Sequence, residues 1–387
     1  PMSRLIQGDV GSGKTVVATA VALSVLQNNY DVVLLCPTTV LAEQHFKTIS
    51  NFLKNQKFTV KLVTGNSKID EKESNTKPIL YIGTHAILFK KAEVFRNTSL
   101  LIVDEQHRFG VEQREQLIDD VVSLNGKTHT PHFLMLTATP IPRSIAQIYF
   151  SSLDLSYIAT PPNDRKKVLT FVVPENKRAD SYNWIKDKIR SGEQMFVICP
   201  LIETSEKLAL KNVKEEYENI KNIFSDFNVS LLHGKMKAEE KNSILTDFRT
   251  NTSQILVSTQ VVEVGVDIPN ATIIIIESAE RFGLAALHQL RGRVGRGKKQ
   301  SYCYLFISPE AVSVMDEKVD QNKALDRLSY FSKHFNGMEL SEFDMMNRGI
   351  GNLVGTEQTG LPKFKIANVA DKNLIEKVKK VIKIINN

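Results

Sequence analysis

The chain has 387 residues, 42% hydrophobic and 24% charged, with 50 Lys and Arg against 43 Asp and Glu and a net charge of +7. These are the proportions of an ordinary globular protein of two or three domains at ~150 residues each, and the mild basic excess suits a nucleic-acid partner without requiring one. Cys36, Cys199 and Cys303 are far apart with no CxxC pair, which argues against a disulfide framework and a zinc site and for a reducing compartment, while the apolar runs 16–25 and 271–276 are too short or interrupted to span a membrane.

In chain order, short β-rich runs alternate with helical stretches, the pattern of α/β domains with parallel sheets. The first half reads as strand 4–7, helix 14–27, strand 32–36, helix 40–52 and strands 60–63, 79–82, 100–103 and 133–136. Segment 151–167 carries Pro161, Pro162, Asn163 and Asp164 and reads as a linker. The pattern restarts with strands 169–173, 195–199, 230–232, 255–257, 272–276 and 301–307, with helices between them such as 239–249. Beyond Pro309 the strands stop; the tail reads as helical with one glycine-rich interruption, and its last helix aligns Leu374, Val378, Val381 and Ile385. The expected domains are 1–160, 161–309 and 310–387. Pro1 stands only seven residues before a phosphate-loop glycine, which reads as the middle of a longer protein.

Three motifs carry chemistry. Gly8-Asp9-Val10-Gly11-Ser12-Gly13-Lys14-Thr15 fits G-x-x-x-x-G-K-[ST] between a strand and a helix. Its glycines let backbone N–H groups curl around phosphate oxygens, and the helix N-terminus adds positive potential. Lys14 is suited to the β- and γ-phosphates of ATP, and Thr15 to Mg²⁺. In Leu100-Leu101-Ile102-Val103-Asp104-Glu105-Gln106-His107 a buried strand delivers two adjacent carboxylates. Asp104 would hold the metal's water shell and Glu105 would activate the attacking water. The third motif is Gln289-Leu290-Arg291-Gly292-Arg293-Val294-Gly295-Arg296. Its arginines, Arg293 and Arg296 among them, are arginine-finger candidates, because a planar, permanently charged fork suits a transferring phosphoryl group. The alternative is a basic loop that binds phosphate backbone.

Weaker motifs follow in a consistent order: Pro37-Thr38-Thr39 with Gln44-His45, Gly83-Thr84-His85, Thr137-Ala138-Thr139-Pro140, Leu232-His233-Gly234, and Val257-Ser258-Thr259 leading to Gly265-Val266-Asp267. With the three strong motifs they resemble a superfamily 2 helicase, whose fold is two RecA-like P-loop NTPase domains with parallel sheets. The runs Asp104–Val111, Leu136–Arg143 and Glu280–Gly283 with His288–Arg296 look like the RecG family of replication-fork helicases. In the tail, Arg348-Gly349-Ile350-Gly351 and Gly355–Gly360 resemble the translocation motif that this family shares with the transcription-repair coupling factor.

The resemblance implies an ATP- and Mg²⁺-dependent motor on duplex and branched DNA, acting at forks and Holliday junctions in a bacterial cytoplasm at the nucleoid. It implies that Thr38, Thr39, Thr84, His85 and Thr259 in the turns after strands contact the nucleic-acid backbone, that Thr137 and Thr139 couple the ATP site to that track, and that His107 serves one or other of these tasks. Gly265, Asp267 and Gln289 would line the nucleotide, and Arg327, Arg348 and Gln358 would couple lobe movement to DNA travel. A single-strand-binding protein is the implied partner at forks, no membrane is involved, and a monomer needs nothing extra. The family's N-terminal wedge domain is missing from this stretch. Three other readings stay open: the motor of a coupling factor, a nucleic-acid-binding module with a vestigial nucleotide site, and a P-loop kinase.

Overall fold

Runs of Val, Ile and Leu that are apolar at every position, rather than at every second one, belong in sheets covered on both faces. That is where the computed structural model puts them. It describes residues 1–56, 58–64, 77–84, 87, 97–105, 117, 119–123, 130–139, 153–158, 166–200, 206–259, 268–297, 299–308, 318–348 and 377, without the side chains of 206–211, 238, 318–323 and 348. The chain divides into two units, Pro1–Pro162 with Met345–Asn387, and Asn163–Asp344.

The first unit contains β1 (Ser3–Gly8), α1 (Lys14–Gln27), β2 (Asp31–Leu35), α2 (Thr39–Phe52), β3 (Thr59–Val63), β4 (Ile79–Gly83), β5 (Thr98–Val103), β6 (His132–Thr137) and β7 (Asp154–Ile158). The strands form one sheet in the order β3-β4-β2-β5-β6-β1-β7, every pairing parallel. Leu5, Val33, Leu35, Leu101, Val103 and Phe133 meet in a core on one of its faces.

β7 corrects the expectation of a linker over 151–167. Asp154-Leu155-Ser156-Tyr157-Ile158 is an edge strand, paired in parallel with β1. Arg4 of β1 holds it, donating from Nη1 to Ser156 Oγ at 2.7 Å and from Nη2 to Asp154 Oδ2 at 3.1 Å. An edge strand needs few buried side chains, so this one lacks the apolar run that marked the others.

The second unit contains β8 (Leu169–Val173), α3 (Arg178–Arg190), β9 (Gln194–Ile198), α4 (Glu206–Ile223), β10 (Val229–Leu232), α5 (Ala238–Arg249), β11 (Ile255–Ser258), β12 (Ala271–Ile276), α6 (Leu284–Arg291) and β13 (Tyr302–Phe306), then α7 (Lys318–Lys333) and the start of α8 (Gly337–Arg348). Its six strands run β10-β11-β9-β12-β13-β8, again all parallel. Ile185, Ile189, Val197, Phe224, Val257 and Ile275 are fully or almost fully buried in its core. No helix among the described residues is long and apolar enough to cross a membrane. The α/β class with parallel sheets is as the sequence predicts.

Candidate active site

Ligands of parallel α/β sheets sit at the C-terminal ends of the strands, and the first unit gathers its expected residues there. β1 ends at Gly8, and Asp9–Gly13 turn into α1. Gly11 and Gly13 take φ of 77° and 93°, the left-handed region where a Cβ is strained. Gly13 is the N-cap of α1, no side chain caps that end, and no acidic residue lies in its first turn. The leading N–H groups and the positive end of the helix therefore face the loop. Lys14 curls back, donating from Nζ to Gly8 O at 2.7 Å and Asp9 O at 2.9 Å. The buried Ser12 Oγ has no hydrogen-bond partner among the described residues. Thr15 is the second residue of α1, and its carbonyl accepts from Thr19 Oγ1 at 2.7 Å.

Asp104 follows the last residue of β5 and is buried, its N–H donating to Leu35 O at 2.9 Å. His45 Nε2 lies 2.7 Å from Asp104 Oδ2, and Glu105 N–H donates to Oδ1 at 3.0 Å. Burial works against the carboxylate; the His45 hydrogen bond and charge, the Lys14 ammonium and the Glu105 N–H outweigh it and hold the carboxyl below its usual range. Asp104 is thus an oriented anion. Glu105 takes φ of 54°, costly for a residue with a Cβ and typical of functional sites. A threonine hydroxyl and an ionised carboxylate are hard oxygen donors that fit Mg²⁺.

The threonines of the weaker motifs share this rim. Thr38 caps α2, accepting from Leu41 N at 3.4 Å, and Thr39 is the first residue of that helix. Thr84 follows β4, its carbonyl accepting from Ile87 N at 2.9 Å. Thr137 ends β6 and is buried, its Oγ1 accepting from Thr139 N at 3.1 Å. His85 and His107 lie outside the described residues.

In the second unit, Thr259 follows β11 with a buried Oγ1 that has no hydrogen-bond partner among the described residues. Gly265 and Asp267 lie outside them. Gln289 is buried on α6, Arg293 is buried in the turn after it, and Arg296 Nε donates to Gly292 O at 3.4 Å. Arg291 departs from the expectation for the arginines of its run. Its Nη1 donates to Phe331 O and its Nη2 to His334 O, both at 2.9 Å, and the guanidinium stacks 4.1 Å from the Phe331 ring. It is engaged at the C-terminal end of α7, where exposed carbonyls and the helix dipole attract a cation.

Two further contacts tie the helical tail to α6. Asp344 Oδ2 of α8 accepts from Leu284 N at 2.9 Å, a cap on α6 supplied from another helix. Arg327 Nη2 of α7 donates to Glu280 O at 2.5 Å, in the turn before α6. The side chain of Arg348 and all of Gln358 lie outside the described residues. A charge cluster around the buried Glu277 sits at the end of β12. Arg178 lies 3.3 Å from Glu277 Oε2 and 2.9 Å from Glu175 Oε2. Burial pushes the Glu277 carboxyl up to about 8, helped by Glu216, Glu175 and Glu280 and opposed by Arg178.

His45 stands in the sequence only as part of the weak Gln44-His45 motif, and no motif contains Asp344 or Arg178. Their partners are 59, 60 and 99 residues away, so local spacing does not reveal the contacts they make.

Residues 2–148 match the DEAD/DEAH box helicase family, and residues 177–298 match the Helicase conserved C-terminal domain. The chain is 44% identical over 376 residues to the ATP-dependent DNA helicase RecG of Aquifex aeolicus, covering 96% of this chain and 46% of that protein. To the RecG of Streptococcus pneumoniae it is 43% identical over 394 residues, covering 100% of this chain and 56% of that one. It therefore spans about half the length of the curated relatives it matches. Among solved structures it is similar to RecG bound to a three-way DNA junction, with a TM-score of 0.74 and 35% identity over 97% of this chain and 48% of that one. A likeness to S. cerevisiae Dbp5 bound to RNA and ADP BeF3, at 17% identity and a TM-score of 0.59 over 92% of this chain and 90% of that one, shows the fold alone.

Proposed function

Since this chain belongs to the RecG family of ATP-dependent DNA helicases, we propose that it is the motor portion of such a helicase, an ATP-driven translocase on double-stranded DNA. Within a longer protein it would remodel stalled forks and migrate Holliday junctions, in a bacterial cytoplasm. The observation that carries the reading is the pairing of an uncapped phosphate loop with Asp104, a buried carboxylate held ionised at the same rim.

In this reading the loop N–H groups and Lys14 bind the β- and γ-phosphates of ATP. Mg²⁺, held by Thr15 and Asp104, would supply positive charge to the phosphate oxygens when bound. Glu105 orients the attacking water and takes its proton. Arg293 and Arg296 supply charge to the transferring phosphoryl group, with Gln289, Gly265 and Asp267 beside the nucleotide. Thr38, Thr39, Thr84, His85 and Thr259 contact the DNA backbone, Thr137 and Thr139 couple the ATP site to that track, and His107 belongs to the same DNA-contact and coupling set. Arg327, Arg348 and Gln358 couple nucleotide state to DNA travel. The domain limits 1–160, 161–309 and 310–387 belong to the same proposal; the two family matches, over 2–148 and 177–298, support its first two parts. A monomer suffices for this cycle, with a single-strand-binding protein as partner at forks.

ATP turnover by this chain with and without linear duplex DNA, beside Lys14→Ala, tests the reading. Duplex DNA is expected to raise the rate, and the variant to lose at least ~100-fold, the scale of removing a transition-state donor. Equal turnover in the variant would end the reading.

A further inference from the structure

His45 stands between two parts of the first unit that the proposed function treats separately. It lies on α2 two turns after Thr38, and only 8% of it is exposed. Asp104 is ionised, so the carboxylate accepts and His45 Nε2–H donates across the 2.7 Å contact. The two oxygens of Asp104 are therefore held from different places. Oδ1 is held by the neighbouring Glu105 N–H, Oδ2 by a helix from elsewhere in the fold. That helix is capped at its head by Thr38 and seated on the sheet by buried Leu41, Ala42 and Ile49. A capped, packed helix moves as a body, so a displacement at Thr38–Thr39 reaches Asp104 through one side chain. The ring also borders a small cavity shared with Thr15, Thr19 and Ile49.

We propose that His45 is a positioning residue tying the Thr38–Thr39 turn to the Asp104 carboxylate, so that duplex DNA on that turn sets the carboxylate's orientation for Mg²⁺-dependent nucleotide handling. This rests on the motor reading for the presence of DNA at the turn and of Mg²⁺ at Asp104. No titration of the pair is involved; the hydrogen bond itself transmits the displacement. Partners that orient metal-holding groups are typically worth ~10–100-fold in metal affinity or activity.

The test uses the whole chain as wild type, Lys14→Ala, His45→Ala and His45→Gln, the last retaining an N–H donor. Binding of the fluorescent analogue mant-ATP is measured with Mg²⁺ and with EDTA, and kcat and KM for ATP with and without linear duplex. His45→Ala is expected to weaken Mg²⁺-dependent mant-ATP binding ~10-fold while binding in EDTA stays as in wild type. It is also expected to lower kcat more than it raises KM and to reduce the duplex-stimulated rate ratio, with His45→Gln recovering part of each. The proposal is overturned if His45→Ala keeps the wild-type Mg²⁺ dependence and stimulation. It is equally overturned if binding weakens alike in Mg²⁺ and EDTA, or if His45→Gln, melting as wild type does, recovers nothing. If the wild type and Lys14→Ala behave alike in every assay, the nucleotide reading itself has failed and takes this proposal with it; wild-type binding lost only in Lys14→Ala isolates a failure of His45.

Discussion

The site's charges are set one residue at a time, and two carboxyls show opposite outcomes of burial. Asp104 is buried with His45, Lys14 and the Glu105 N–H to favour its anion. Glu277 is buried among Glu216, Glu175 and Glu280 and shares its one guanidinium with Glu175, so its carboxyl is pushed from 4.5 up to about 8. A raised folded-state pKa means that the stability this group contributes is complete below its ordinary pKa and is lost as pH climbs towards about 8. Glu277→Gln cannot ionise. Its melting temperature is expected to match wild type near pH 5 and exceed it at pH 9, by on the order of 4 kcal/mol in unfolding free energy; parallel melting curves across that range would refute the assignment. The sequence made Asp104 legible because a buried strand and two carboxylates are local. Neither His45 as its partner nor the crowding around Glu277 was legible, because both are made by elements brought together only in the fold.

At the scale of elements, the clearest sequence signals belonged to strands buried on both faces. β7 was missed because an edge strand alternates polar and apolar residues and stood beside two prolines. The arginine run was legible as a motif, but not in how its members divide: Arg291 serves the end of α7, while Arg293 and Arg296 sit in the turn beyond α6. Nothing in the tail sequence announced that Asp344 would cap α6. That cap yields an expectation for the helix as a unit. Asp344→Ala leaves the buried Leu284 N–H without its acceptor, and the loss is expected to be about 1–2 kcal/mol, the upper part of the range for helix caps. Denaturant unfolding measures it, and Asp344→Asn, which keeps a side-chain oxygen, is expected to recover most of the loss. Identical midpoints for all three proteins would mean the contact contributes nothing.

For the molecule as a whole, the net charge of +7 and the threonines at the strand ends favour contact with phosphates over reading of bases. Affinity for linear duplex DNA is then expected to fall linearly on a log–log plot against salt, with a slope near −0.9 per phosphate contacted, and to be alike for unrelated sequences. Fluorescence anisotropy with two duplexes across a salt series measures both, and a sequence-specific footprint would contradict the view. The two-unit α/β organisation was readable because the strand–helix rhythm stops and restarts.

The all-parallel pairing also bears on how the chain is made. β1, which leads into the phosphate loop, pairs only with β6 and β7, Ser3 opposite Phe133 and Arg4 opposite Asp154. β8 likewise waits for β13, Leu169 opposite Tyr302. Such distant partners slow folding, because long loops must close before any pairing is gained. At ~5–20 residues per second of synthesis, the phosphate loop spends on the order of ten seconds outside the ribosome before its supporting strands emerge. For that interval the nascent chain exposes an unpaired strand, with Leu5 and Ile6 uncovered, to the chaperones and proteases around it.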